Sequence, residues 1–200
     1  GELRRAFRRA LELVDHLAFG DLNAAERHGK AKLRQIKLHL DLAETPVAEV
    51  VESALRSHRQ IYEAKRIALE VRPGPPTVLT MDRERIMQVL ANLLGNAARH
   101  TPPGGTVTLA WKSESDNLLI TVTDTGEGIT PEQLPHIFER FYRGDTARDR
   151  EQQGSGIGLT ISRAIAEAHR GTLAATSKGR ETGSSFVLTL PLTGPKDRRR

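Results

Sequence analysis

The sequence predicts an α+β fold in which one layer of helices covers one mixed sheet, a two-layer sandwich. Three observations carry this expectation. Strand-length apolar runs come in pairs around turn signals, at 67–71 with 78–81, 106–111 with 118–123, and 172–176 with 185–190. Stretches of helical periodicity separate those pairs, and no internal repeat turns the pattern into a solenoid. Hydrophobic residues make up 38% of the 200 residues and aromatics 4%, so one sizeable core is built mainly from Leu, Ile, Val and Ala.

From the N-terminus, Leu3, Phe7, Ala10, Val14 and Leu17 step by four, three, four and three. That is the seam of a helix packing on a second helix, and the same spacing also describes an amphipathic helix docked on its own domain. A more polar stretch over 24–40 is expected to be helical in its first part, so residues 1–45 read as a helical arm. At Thr45 the texture changes: Thr45 is placed to cap a helix with Pro46 at its first position and Val47, Val50, Val51, Ala54 and Leu55 on its apolar face. The strands at 67–71 and 78–81 flank the turn-forming Pro73, Gly74, Pro75 and Pro76. A helix over 83–99 turns Ile86, Leu90, Leu93 and Ala97 to the core. The runs 106–111 and 118–123 form a hairpin around 112–117, a helix covers 158–170, and the last strand pair ends the domain at Pro191. The domain is expected over 46–192, with 193–200 a basic tail.

Three clusters carry candidate chemistry. On the helix over 83–99, Asn92 and Asn96 lie four apart on a face away from the core, with Arg99 and His100 one turn on. Two carboxamides and a cation so placed can hold a hydrated Mg²⁺ and the phosphates it bridges, because Mg²⁺ takes oxygen ligands and keeps several waters. The same residues also describe a polar helix face with its cap. Next, Asp124 stands at a strand end followed by Gly126 and Gly128. A buried carboxylate there can accept from an exocyclic amine while the glycines let a flat base approach the backbone, although a plain loop has the same spelling. Finally Gly154, Ser155, Gly156, Ile157, Gly158 and Leu159 run straight into a helix, where exposed backbone N–H groups favour an anionic phosphate. No long strand immediately precedes them, which argues against a Rossmann turn.

In order and spacing, the 92–100 helix, the 124–128 loop, the run from Ile137 to Arg143 with Phe138 and Phe141, the glycines at 154, 156 and 158, and Gly183-Ser184-Ser185-Phe186 resemble the N, G1, F, G2 and G3 boxes of sensor histidine kinases. The resemblance implies the Bergerat ATP-binding sandwich over 46–192, with ATP and Mg²⁺ as cofactors. It assigns Asn96 to the metal, with Asn92 a second contributor, and Asp124 to the adenine amino group. Arg99 and His100 fall on the phosphate side, and Asn92, Asn96 and Arg99 are the residues nearest the transfer. Gly126, Gly128 and Ile129 would border adenine. Phe141 and Ser184 join the nucleotide-binding set, Ser184 where the family often has Thr. Gly154, Ser155, Gly156, Ile157, Gly158 and Leu159 would face the phosphates, and 144–153 looks like the family's ATP lid. Of Phe138 and Phe141, at least one is expected to be simply a core residue. Arg140 and Arg143 read equally as phosphate-side charges and as exposed surface cations.

Enzymes that hydrolyse ATP on this fold place a Glu four residues before the metal-binding Asn, where it can deprotonate water; here that position is Asn92. The expected reaction is therefore phosphoryl transfer to a histidine on a dimerisation helix, for relay to a response regulator. The competing readings are an ATPase of the wider superfamily and a regulatory nucleotide-binding module without activity. The acceptor departs from the family pattern, because His16, His28 and His39 are followed by Leu17, Gly29 and Leu40 instead of an acidic residue. The arm resembles the second dimerisation helix, so either the acceptor helix precedes this chain in a longer kinase or it lies on another polypeptide. A homodimer is expected of the whole kinase.

Composition narrows the alternatives. The net charge of +5 sits largely in the N-terminal arginine pairs and the run from Lys196 to Arg200, which read as solvated ends, so no nucleic-acid partner is expected. Zero cysteines exclude disulfides, thiolate metal sites and cysteine nucleophiles. With no apolar run near the roughly 20 residues of a membrane span, the sequence predicts a cytoplasmic domain, joined to a membrane only through parts outside this chain.

Overall fold

The computed structural model describes residues 39–142 and 156–195. The stripe at 3–17, the polar stretch up to residue 38, the lid and the last five residues of the tail lie outside them. In chain order the elements are β1 (Ala43–Pro46), α1 (Val47–Lys65), β2 (Ala68–Arg72), β3 (Val78–Met81), α2 (Arg83–His100), β4 (Thr106–Glu114), β5 (Asn117–Asp124), α3 (Gly158–Ala168), β6 (Thr172–Thr176) and β7 (Ser184–Pro191). The main sheet has the order β2-β4-β5-β7-β6, with β2 parallel to β4 and every other pair antiparallel. It is the mixed sheet expected, with helices on one face.

The start of the domain differs from expectation. Residues 43–45, assigned to the arm, and Pro46, assigned to the first position of a helix, form a strand that pairs with β3 in a separate two-stranded ribbon, Ala43 opposite Met81 and Pro46 opposite Val78. Helix α1 begins at Val47, with Pro46 at the N-cap, and the Thr45 hydroxyl donates back to the Ala43 carbonyl (3.0 Å) instead of capping. The cause is local: a residue before proline is pushed to extended backbone, so Thr45 completes a strand more easily than it opens a helix. The domain also runs past Pro191, since the Leu192 N–H donates to the Asp116 carbonyl (2.8 Å) and Gly194 is buried against Thr80.

Helix α2 is opened by Asp82, whose side chain accepts from the Arg85 N–H (3.0 Å), and it buries Ile86, Val89, Leu90, Leu93, Leu94, Ala97 and Ala98. The four expected core positions are among them. Alternation on the strands turns Val107, Leu109 and Trp111 of β4, Leu118, Ile120 and Val122 of β5, and Phe186, Leu188 and Leu190 of β7 to the same core. Each fully buried side chain of this size contributes about 1.5–3 kcal/mol, so this shared core is a main source of the unit's stability. The β4–β5 hairpin is longer than expected, turning at Ser115 and Asp116. Its ladder continues past the last buried residue, where side-chain periodicity no longer reports it. Neither phenylalanine named above joins the core: Phe138 is half-buried under the Arg163 guanidinium (5.5 Å to the ring), and Phe141 is 64% exposed with φ +61°.

Candidate functional site

Strand β5 ends on Asp124, which its alternation turns inward to 5% exposure. One carboxylate oxygen accepts from the backbone N–H groups of Gly126 (2.9 Å) and Ser184 (3.3 Å), and the other accepts from the Ser184 hydroxyl. Three donors leave part of the acceptor capacity of a carboxylate unused. Asp124 is therefore an acceptor held in place by the start of β7, with acceptor capacity left for one further N–H donor. Tyr62 lies close enough for that negative charge to matter: burial, and secondarily Asp124, push its hydroxyl above the usual phenol range. It stays a neutral donor, bonded to the Leu94 carbonyl at 2.8 Å, and pins α1 to α2.

The loop after Asp124 is fitted to the end of α2. The Glu127 N–H donates to the His100 carbonyl (3.0 Å), and the His100 Nδ1 lies 3.4 Å from a Glu127 carboxylate oxygen. A Cβ on Gly126 would stand 2.3 Å from the His100 carbonyl oxygen, and one on Gly128, at φ +71°, 2.0 Å from that of Gly179. Both glycines are thus required by protein backbone, a reason the sequence reading did not give. Ile129 is tied by its N–H to the Ser177 hydroxyl (2.9 Å), which itself donates to the Gly183 carbonyl (2.7 Å). His100, placed on the phosphate side by resemblance, here faces the Glu127 carboxylate.

Asn92, Asn96 and His100 follow one another at intervals of four along one line of α2, and Arg99 is half-buried beside them. The Asn92 amide donates to the Gly158 carbonyl (3.1 Å) and the Ser162 hydroxyl (3.1 Å). A carbonyl can only accept, so the amide nitrogen is the atom bonded to α3, and the Asn92 oxygen is left as the acceptor of that side chain. Helix α3 opens on Gly158 with no side-chain cap and no acid in its first turn, and the half-buried Ile157 and Leu159 flank that glycine. Gly156, at φ +67°, accepts the Phe141 N–H (3.1 Å). Arg140 lies over the exposed Phe141 ring (5.8 Å), while Arg143, Gly154 and Ser155 lie outside the described residues.

The structure thus brings together Asp124, Ser184 and Gly126 at one end of α2 and Asn92 with Gly158 on its side. Among the described residues no group of three His, Cys, Asp or Glu side chains is arranged to hold a metal. The carboxamide oxygens of Asn92 and Asn96 fit a hard, hydrated cation that takes its remaining ligands from phosphate and water. Ser162, Ser177 and Tyr62 escaped the sequence reading, since isolated hydroxyls carry no motif. A groove of about 280 Å³ between α1 and β2, lined by Leu55, Tyr62 and Leu69 among others, contains none of the candidate residues.

Comparison with known proteins bears on this arrangement. Residues 81–194 match the family model described as histidine kinase-, DNA gyrase B-, and HSP90-like ATPase. The sensor-like histidine kinase SenX3 of Mycobacterium tuberculosis is 36% identical over 181 residues, 90% of this chain and 43% of that protein. This chain accordingly spans less than half the length of that relative. Among solved structures, the mycobacterial sensor histidine kinase MprB superposes with a TM-score of 0.65 at 28% identity, covering 76% of this chain and 97% of that one. Full-length ShkA in complex with AMPPNP superposes with a TM-score of 0.71 at 25% identity, covering 98% of this chain and 40% of that one.

Proposed function

The chain belongs to the histidine kinase-, DNA gyrase B- and HSP90-like ATPases, and on that premise we propose that it carries the γ-phosphoryl group of Mg-ATP to a histidine on a dimerisation helix. The phosphohistidine is then passed to a response regulator, and the chain acts as the ATP-binding catalytic domain of a sensor histidine kinase working at the cytoplasmic face. No helix among the described residues is long and apolar enough to cross a membrane.

The observation that carries the transfer reading is Asn92. An amide has no basic site for a water proton, and the donor side of this one is committed to α3. Hydrolysis lacks its base, whereas transfer to a nucleophile that brings its own reactivity does not need one. Asp124 would accept from the adenine amino group, and the open first turn of α3 would hold phosphate oxygens. Asn96, with the carboxamide oxygen of Asn92, would hold Mg²⁺, which would offset the charge of the phosphates. Arg99 adds positive charge from the same helix. Catalysis here is positioning and electrostatics, with the nucleophile supplied by the acceptor helix.

The test uses ATP labelled at the γ-position. The chain alone should take up no acid-labile label, and a polypeptide carrying a family acceptor helix should become labelled in acid-labile, base-stable form. Label on this chain that disappears when His16, His28 or His39 is changed would overturn the assignment of the acceptor. Steady ATP turnover on the order of one per second without any acceptor would overturn the kinase reading itself.

A further inference from the structure

His169, at the C-cap of α3, is 1% exposed and belongs to none of the motifs above. Its two ring nitrogens have different partners. Nε2 lies 3.0 Å from the Asp82 backbone nitrogen, and Nδ1 lies 2.8 Å from the Ile165 carbonyl oxygen. An amide can only donate and a carbonyl can only accept, so the ring is the neutral tautomer with its proton on Nδ1.

Asp82 is a junction. Its N–H is held by His169, one carboxylate oxygen caps α2 through the Arg85 N–H, and the other accepts from the Asp41 N–H (2.9 Å). The clasp therefore joins the N-terminus of α2 to the C-terminus of α3. The N-terminal turn of α3 in turn meets the middle of α2, at Asn92 with Gly158 and Ser162. From Asp82 to Asn92 is ten residues and from Gly158 to His169 eleven, about 15 and 16 Å of helix, so the two antiparallel helices are pinned at matching heights. One pin alone permits the helices to pivot; two fix the distance between the Asn92–Asn96 line and the first turn of α3.

We propose that His169 is a positioning residue for the nucleotide site: as a neutral imidazole it clasps α2 to α3 and sets the spacing between Asn92, Asn96 and the phosphate-facing turn at Gly158. The inference rests on the nucleotide-site reading above. Protonation of Nε2 removes the acceptor and sets an N–H against the Asp82 N–H, so the clasp opens in acid. The groups acting on the ring are consistent with this. Burial disfavours its charged form and outweighs the opposing influence of the Ile165 carbonyl and the Asp82 carboxylate. On its own helix Glu167 is exposed and paired with Arg163, and Arg170 is exposed.

The experiment compares the wild type with H169Q and H169F, measuring Mg-ATP affinity by calorimetry between pH 7.5 and 5.5 and hydrogen exchange at the Asp82 amide. Glutamine offers a carbonyl to the Asp82 N–H and takes up no proton. It should keep affinity and lack the extra loss on acidification that the wild type shows beyond the nucleotide's own titration, which both share. Phenylalanine fills the space without an acceptor, and H169F should bind about tenfold more weakly, with rapid exchange at Asp82. Undiminished binding by H169F, or identical pH profiles for H169Q and the wild type, would overturn the proposal. If H169F does not fold, the H169Q profile decides. If the wild type binds no ATP, the nucleotide-site reading and the positioning role fall together. Asp82 exchange then reports only whether the clasp forms.

Discussion

At the scale of single residues, the site depends on what each polar atom has already been given. Asp124 has spent three acceptor directions on Gly126 and Ser184, so its specificity lies in the direction that remains. Asp124→Asn leaves the fold intact, because the Ser184 hydroxyl can reverse its role, yet it turns a full acceptor into a mixed group. ATP affinity should fall by about 1–3 kcal/mol, roughly 5- to 150-fold, with the native preference for ATP over GTP reduced. Competition against a fluorescent ADP analogue reads both effects, and equal competition by ATP and GTP in the native chain would count against the assignment. Asn96 is half-buried on the outer line of α2 and is absent from its core face, so Asn96→Ala should leave the melting temperature nearly unchanged while abolishing the Mg²⁺-dependent part of ATP binding. Calorimetric titration with and without Mg²⁺ separates the two, and undiminished Mg²⁺-dependent affinity would move the metal elsewhere.

At the scale of elements, stability is concentrated where one helix or strand ends against another. Helix α1 ends on Arg66, an exposed non-glycine residue at φ +57° whose N–H closes back on the Glu63 carbonyl. A side chain in that left-handed region costs on the order of 1 kcal/mol relative to glycine. Arg66→Gly should therefore raise the melting temperature by about 2–4 °C, and an unchanged or lower value in a thermal scan would contradict the strain argument. The α2–α3 junction adds a pH dependence whose sign is fixed. The imidazole of His169 is held below its ordinary pKa of 6.5 in the folded chain. The unfolded chain then binds the extra proton first, so this contribution is complete above about pH 6.5 and is lost as pH falls through the lowered folded value. Urea unfolding at pH 7.5 and 5.5 should show the wild type losing more stability than H169Q.

At the scale of the whole unit, the sheet supplies Asp124 and Ser184 from adjacent strands, while the helical layer supplies the asparagine line and the α3 terminus. Chemistry and adenine recognition are thus carried by different layers and joined through α2. Changes at Asp124 should alter nucleotide preference without altering the ratio of transfer to hydrolysis, whereas Asn92→Glu should restore a base and raise hydrolysis relative to transfer. Product analysis of the two variants, inorganic phosphate against phosphorylated acceptor helix, would distinguish them. A rise in hydrolysis for Asp124→Asn alone would show that the two functions are not separable.

The sequence by itself determined the layered α+β architecture, the core face of α2 and the presence of Asp124, Asn92 and the glycine loops. Period-2 and period-3.6 alternation records which side chains face a core, and the site motifs lie within single local segments. Tertiary structure decided what connects segments far apart in the chain. The ribbon that makes residues 43–46 a strand, the two exposed or half-buried phenylalanines, the His100–Glu127 contact and the His169–Asp82 clasp all depend on pairings between separate elements. Local periodicity reports only whether a residue is turned inward. A hydrogen bond across 87 positions, such as that of His169 with Asp82, exists only once both helices have packed on the sheet and water has been removed from between them.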